Sequence, residues 1–252
     1  MDYQRPGVAE DYRRTRHLPP ETLAFWHDLV RECVLPEGIA RVVDVGCGTG
    51  RFTGCLAEAF EGASVIGLDA ATRMLAAADR RPRIRYVAGA AEALPLPVES
   101  VDLAFLSLVW HHFEAPEQCV AELARILRPR GHVFIRTPTR EILDGYEFLR
   151  FFPESRALDD RRMPTRASVV EHFCGRGFTS TVQRTVVQRV SPGPAAYLER
   201  VRQRVFSSLR EIPDDVFRRH LLHFEAYCES LPVDREFREP VDVFVVRRGN
   251  AS

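Results

Sequence analysis

Between residues 41 and 135 the chain alternates two apolar patterns. Short runs rich in β-branched and aromatic residues read as strands: Val42 to Val45, Ser64 to Leu68, Ile84 to Ala88, Val101 to Leu106 and His132 to Ile135. Between them lie helical patterns. Phe52, Leu56 and Phe60 recur at every fourth position behind Arg51, Met74 and Leu75 sit in an Ala-rich stretch, and Pro116 to Leu127 forms a third helix. Pro116 falls in the first turn, where its missing N–H costs nothing, and Leu127-Arg128-Pro129-Arg130-Gly131 stops the helix. Strands separated by helices predict right-handed βαβ units and a parallel sheet. The C-terminal half is less regular. Thr165 to Cys174 reads as a helix capped by Thr165 and closed by Gly175 and Gly177, and Thr181 to Val190 as a strand. After Pro192-Gly193-Pro194 come two amphipathic helices. One carries Tyr197, Val201, Val205 and Leu209, the other Phe217, Leu221, Phe224 and Cys228; Val241 to Val246 is a last strand.

Composition narrows the classes. The 252 residues, 45% hydrophobic, can bury a full core. The net charge of +0 supplies no global field for nucleic acid or an acidic membrane surface. All 35 basic residues are Arg, which excludes a catalytic Lys and the phosphate-gripping Lys of a P-loop. Cys33, Cys47, Cys55, Cys119, Cys174 and Cys228 are scattered without a C-x-x-C pair, so neither a metal site nor a disulfide framework is expected, and a cytoplasmic location is. The N-terminus lacks the apolar core of a signal peptide, and no stretch is long and apolar enough for a membrane span.

The first strand runs into RVVDVGCGTG, which places Gly46, Gly48 and Gly50 where a parallel sheet binds ligands. The dinucleotide fingerprint G-x-G-x-x-G fails in both registers, because Arg51 or Thr53 stands where the third glycine is needed. What remains is an acid, Asp44, followed by G-x-G-x-G, a loop whose glycines let a ligand lie against bare backbone. Asp44 can reach a loop amide or, through water, a ligand ammonium; Asp69, closing the second strand, is placed to accept two ribose hydroxyls or to cap the segment behind it.

DVGCGTG followed by a strand ending in Asp69 resembles motif I and the ribose-binding acid of the class I S-adenosylmethionine-dependent methyltransferases. AGAAEALPLPVESVDLAFLSLVWHHF and ILRPRGHVFI resemble the free-standing small-molecule group related to the ubiquinone and menaquinone enzymes. The similarity spans Arg41 to Thr137, with a weaker echo in DYRRTRHLPPE. It implies a Rossmann-like α/β fold with a seven-stranded, mostly parallel sheet and helices on both faces. The sixth strand would be parallel and the seventh antiparallel, inserted between the fifth and sixth. S-adenosyl-L-methionine would lie against Asp44, Gly46, Cys47, Gly48, Gly50, Asp69, Ala70, Met74, Ala90, Ala91 and Ser107, with Tyr12 and Arg16 folding over its methionine end. Relatives usually carry Gly-Asp-Ala after the third strand; here Ala90 replaces that Asp, so adenine must rely on backbone near Ala91 and on packing from Leu94 or Met74.

Transfer from a sulfonium is an in-line displacement with a neutral leaving group, so an enzyme contributes alignment and a dry pocket, plus a base when the acceptor must lose a proton. His111 and His112, after the fourth strand, are the base candidates or else pack that loop; Trp110 and Phe113 read as core. In this topology the link between the sixth and seventh strands leaves from the cofactor edge. Residues 191–239 are therefore expected to form a helical lid, with residues 1–40 covering the cofactor and 41–190 plus 240–252 forming the core. The loop Pro138 to Pro164, bearing Tyr146, Phe148, Phe151 and Phe152, joins the roof. Arg136 and Arg140 either hold an anionic group of the acceptor or are surface charge. These readings give a small, partly apolar acceptor, methylated at O, N or C, in a monomer or homodimer without nucleic acid, membrane or metal. The alternative is a non-catalytic protein that binds the cofactor as a regulator or partner.

Overall fold

The computed structural model describes residues 18–34 and 38–250. Seven strands form one sheet in the order β3-β2-β1-β4-β5-β7-β6. These are β1 (Arg41–Val45), β2 (Ser64–Asp69), β3 (Ile84–Ala88), β4 (Val101–Ser107), β5 (Leu127–Thr137), β6 (Phe178–Ser191) and β7 (Phe237–Arg248). All are parallel except β7, which runs antiparallel between β5 and β6. This is the Rossmann-like arrangement the sequence resemblance implied.

Strand side chains alternate between faces. Val42, Phe105, Phe134 and Val245 point toward α1 (Pro20–Val34) and α2 (Arg51–Ala59), where Trp26, Phe52, Leu56 and Phe60 are buried. An aromatic row crosses this layer: Trp26 to Phe52 is 6.5 Å, Phe52 to Phe105 5.5 Å and Phe105 to Phe134 5.4 Å between ring centroids. Val43, Leu106, Val133, Ile135 and Phe244 face the other way, onto α4 (Pro116–Ile126) and α6 (Arg166–Cys174). Between β2 and β3 lies the five-residue α3 (Thr72–Ala76). Thr165 caps α6 through a capping box, accepting from Ser168 N at 3.1 Å.

Two segments lie outside this sandwich. Residues 138–164 contain two short 3-10 turns and α5 (Pro153–Arg162), a polar helix with no apolar period for the sequence to reveal. Between β6 and β7 come α7 (Pro194–Arg202), a 3-10 turn at Ser207–Arg210 and α8 (Asp214–Glu229). The apolar face expected from Tyr197 to Leu209 is split after Arg202. Arg204 takes φ 48°, and Val205 N and Arg204 N bond back to Arg200 O and Val201 O, a Schellman ending. All four apolar residues are nonetheless buried. The two segments pack on each other: Phe148 stacks on Phe206 at 4.0 Å, Phe152 on Phe217 at 5.5 Å, and Ser208 donates to Asp159 at 2.9 Å.

Candidate functional site

From β1 the chain winds outward through β2 and β3, then returns to the other side of β1 as β4, so the carboxyl ends of β1 and β4 flank a crevice. The glycine loop after β1 occupies it, with Gly46, Gly48 and Gly50 at φ 72°, 56° and 80°. Side chains rarely adopt that conformation, and a Cβ on Gly46 would stand 2.4 Å from Val109 Cγ2. The loop is tied to β2: Gly46 N and Cys47 N donate to Leu68 O, and Gly48 N donates to Asp69 Oδ2 at 2.8 Å. Asp69 Oδ1 accepts from Ala71 N at 2.8 Å, so this carboxylate both anchors the loop and turns the chain into α3. Burial raises its pKa, and the two amides oppose the rise. Each oxygen keeps lone pairs for further donors.

A cleft of about 850 Å³, including its open mouth, lies at this switch point. Of the residues expected at a cofactor, Gly46, Gly48, Asp69, Ala70, Met74, Ala90, Ala91 and Ser107 line it, and so does His112. Asp44, Cys47 and Gly50 do not line it. The Cys47 thiol turns toward Gly67, where a Cβ would meet it at 3.0 Å, and burial pushes its pKa up. Asp44 is 1% exposed; its Oδ2 accepts from Thr53 Oγ1 at 2.7 Å, and its Oδ1 has no partner. Burial pushes its pKa up to about 7, against the Thr53 hydroxyl. The loop amide considered for Asp44 goes to Asp69. Tyr12 and Arg16 lie outside the described residues. Met74 reaches the cleft, whereas Leu94 is buried in the core with its N–H bonded to Glu122. Phe113 lines the cleft, and Trp110 is core, packed on Phe173 at 5.4 Å.

A second cavity of about 800 Å³, again with its opening, adjoins the cleft. His111 lines it together with Arg51, Arg136, Tyr146, Phe148, Gln188, Phe206 and Glu239. Leu108 lines both spaces, at φ 55° and with its N–H bonded to Arg136 O at 2.9 Å. Arg136 is fully buried, not surface charge. Its Nη1 donates to Ser107 Oγ at 2.9 Å and its Nη2 to Gln188 Oε1 at 3.0 Å, while the guanidinium lies 4.1 Å from the Trp26 ring. Arg140 is exposed. Glu239, opposite Gln188 in the β6–β7 pairing, accepts from the Tyr197 hydroxyl at 2.9 Å. Sequence reasoning missed Leu108, Gln188, Asp159 and Glu239. A positive φ on a leucine leaves no sequence signal, and the other three join the cavity only through sheet order and roof packing.

The residues of the cleft fit a sulfonium nucleoside on their own geometry. The loop presents bare backbone, Asp69 can accept hydroxyls at its rim, and the buried Asp44 Oδ1 has unused acceptor capacity behind it.

Comparison with known proteins agrees. A family model described as a methyltransferase domain matches residues 43–135. A malonyl-[acyl-carrier protein] O-methyltransferase from Methylococcus capsulatus is 32% identical over 206 residues, covering 75% of this chain and 71% of that protein. Among solved structures, an Anabaena variabilis methyltransferase assigned to an antibiotic biosynthesis pathway superposes with a TM-score of 0.67 at 21% identity, covering 92% and 98% of the two chains. A Haemonchus contortus phosphoethanolamine N-methyltransferase, in complex with phosphomonomethylethanolamine and S-adenosylhomocysteine, gives 0.59 at 16% identity, over 96% of this chain and 57% of that one. With the loop, the acid closing β2 and the strand order all in place, the chain belongs to the class I S-adenosylmethionine-dependent methyltransferases.

Proposed function

We propose that the switch-point cleft holds S-adenosyl-L-methionine and that the adjoining cavity holds a small, partly apolar acceptor. The observation that carries this reading is Leu108, which lines both spaces, so a methyl leaving one enters the other beside a single side chain. The bound cofactor would supply an electrophilic methyl whose leaving group is a neutral thioether. Asp69 takes the ribose hydroxyls, the backbone of Gly46 and Gly48 bears the methionine portion, and Met74, Ala90 and Ala91 pack the adenine. Behind the loop, Asp44 supplies negative charge toward the ammonium. On the acceptor side, Leu108, Tyr146, Phe148 and Phe206 exclude water and hold the nucleophile in line. His111 removes the acceptor's proton where the nucleophile is a hydroxyl or a protonated amine. Methylation at O is favoured, then N, then C.

The helices of residues 191–239 act as the lid in this reading, with residues 138–164 as a second wall; of the N-terminal segment expected over the cofactor, Pro20–Val34 packs on the sheet face and residues 1–17 lie outside the described residues. Stacking of Phe148 on Phe206 supports that division. The relatives described above are transferases, which favours transfer over a binding-only role. No described helix is long and apolar enough to cross a membrane. A cytoplasmic location and a monomer or homodimer acting on a small molecule belong to the same proposal.

Calorimetry with S-adenosylhomocysteine tests the cleft, and transfer of labelled methyl into a metabolite extract tests the second cavity. S-adenosylhomocysteine binding without label transfer would leave only the regulatory role, and no binding at all would remove both.

A further inference from the structure

Tyr86 stands on β3, at the edge of the sheet, yet its ring reaches inward beneath the glycine loop. Asp44, Gly67 and Tyr86 are direct partners across β1, β2 and β3, so the three share one face. Because Gly67 has no side chain, the Tyr86 ring can cross β2 toward α2. A Cβ on Gly67 would come within 2.6 Å of both Cδ1 and Cε1 of the ring. At its far end the ring meets the loop: a Cβ on Gly50 would stand 2.2 Å from Tyr86 Oη and 2.9 Å from Cζ. The hydroxyl donates to Asp79 O at 3.2 Å, which ties the ring to the segment after α3. Thr53, in the first turn of α2, is beside the phenol and donates to Asp44. Burial raises the phenol to about 12, with Cys47 and Asp44 adding to the effect.

We propose that Tyr86 is a positioning residue for the cofactor: its ring, seated on Gly67, props Gly50 and the first turn of α2 at the height that lets the glycine loop receive the methionine portion. The proposal rests on the cofactor reading above. Neither Tyr86 nor Gly67 lines the cleft, so any effect on binding passes through the loop. Glycine at 67 then has a local reason, namely room for the ring, and Gly50 is held from below as well as by its own φ. A loop held in its bound shape loses less freedom on binding, which is where the affinity comes from. Tyr86 is half-buried, so removing the ring costs less stability than emptying a core site.

The test is calorimetric titration of S-adenosylhomocysteine into the full chain, with thermal melting alongside. The variants are Tyr86→Phe, Tyr86→Ala, Gly67→Ala and the Gly67→Ala/Tyr86→Ala pair. Tyr86→Phe keeps the ring and is expected within about threefold of wild type, whereas Tyr86→Ala weakens binding by about tenfold or more while still folded at the assay temperature. Gly67→Ala displaces the ring and weakens binding about as much. The double variant is no weaker than Tyr86→Ala alone, because the one close contact left to the new methyl, the Cys47 thiol at 3.0 Å, can yield into the space the ring vacated. A purely structural role would lower the melting temperature without this affinity pattern. Wild-type affinity in folded Tyr86→Ala overturns the proposal; if that variant is unfolded, Tyr86→Leu is read in its place. Wild-type protein that binds no S-adenosylhomocysteine overturns the cofactor reading itself, a different result from a loss confined to the variants.

Discussion

His111 and His112 are adjacent in the chain, with ring centroids 4.1 Å apart, yet they line different spaces: His111 the second cavity, His112 the switch-point cleft. Both belong to the 3-10 turn Trp110–His112, whose first residue, Trp110, is anchored in the core against Phe173. The two imidazoles are therefore expected to separate functionally. His111→Gln should lower methyl transfer by about 100-fold, the usual span of a lost general base, and leave S-adenosylhomocysteine affinity unchanged. His112→Gln should change that affinity and leave the chemical step near wild type in single-turnover transfer of labelled methyl.

Asp69 receives two backbone amides and, in the proposed complex, two hydroxyls. Asp69→Ala should weaken S-adenosylhomocysteine binding by about 10- to 100-fold, corresponding to about 1.5–3 kcal/mol for hydrogen bonds to a charged group. The melting temperature of the free chain should fall as well, because Gly48 N and Ala71 N lose their acceptor. Calorimetry and thermal melting measure the two effects separately.

Asp44 gives a pH dependence whose sign is fixed. Its carboxyl rises from 3.8 to about 7 on folding, so between those values the folded chain holds a proton that the unfolded chain has released. Its contribution to stability is fully present below 3.8 and is lost as pH climbs through about 7. Denaturant midpoints across that window should show this loss, and Asp44→Asn should remove it. Because the ammonium favours the ionised carboxylate, S-adenosylhomocysteine should bind more tightly at pH 8 than at pH 6 and release a proton near pH 7. Calorimetry in buffers of different ionisation enthalpy would detect the proton, and Asp44→Asn should abolish it.

Leu108 holds a left-handed backbone that suits glycine or asparagine better. Leu108→Gly therefore relieves strain while opening the wall between the two spaces. The melting temperature should stay close to wild type and S-adenosylhomocysteine affinity should change little. Methyl transfer should fall by about tenfold as water reaches the methyl. A parallel loss of all three would mean that Leu108 matters for folding and not for the transfer path.

The sheet and the glycine loop were legible in the chain because both are local. Val42 to Val45 had to be a buried strand by its apolar run, and three glycines in RVVDVGCGTG had to mark a backbone with unusual φ. Asp69 was readable for the same reason, standing at the end of one strand. Which of these residues would touch the cleft was less legible: Cys47 and Gly50 belong to the loop yet turn away from it, toward Gly67 and Tyr86. Arg136 admitted two readings from sequence and only one after folding, because burial of a guanidinium depends on Ser107, Gln188 and Trp26 arriving from three other elements.

The amino-acid order alone set the alternation of strand and helix, the glycine loop and the acid that closes β2, since each depends on neighbours within a few residues. Tertiary structure decided the rest. Placing β7 between β5 and β6 brings Glu239 opposite Gln188, the stacking of Phe148 on Phe206 closes the second cavity, and a strained Leu108 becomes the wall common to both spaces. Glu239 and Gln188, like Phe148 and Phe206, are far apart in the chain, and only the packing of whole elements, which no local pattern encodes, brings them together.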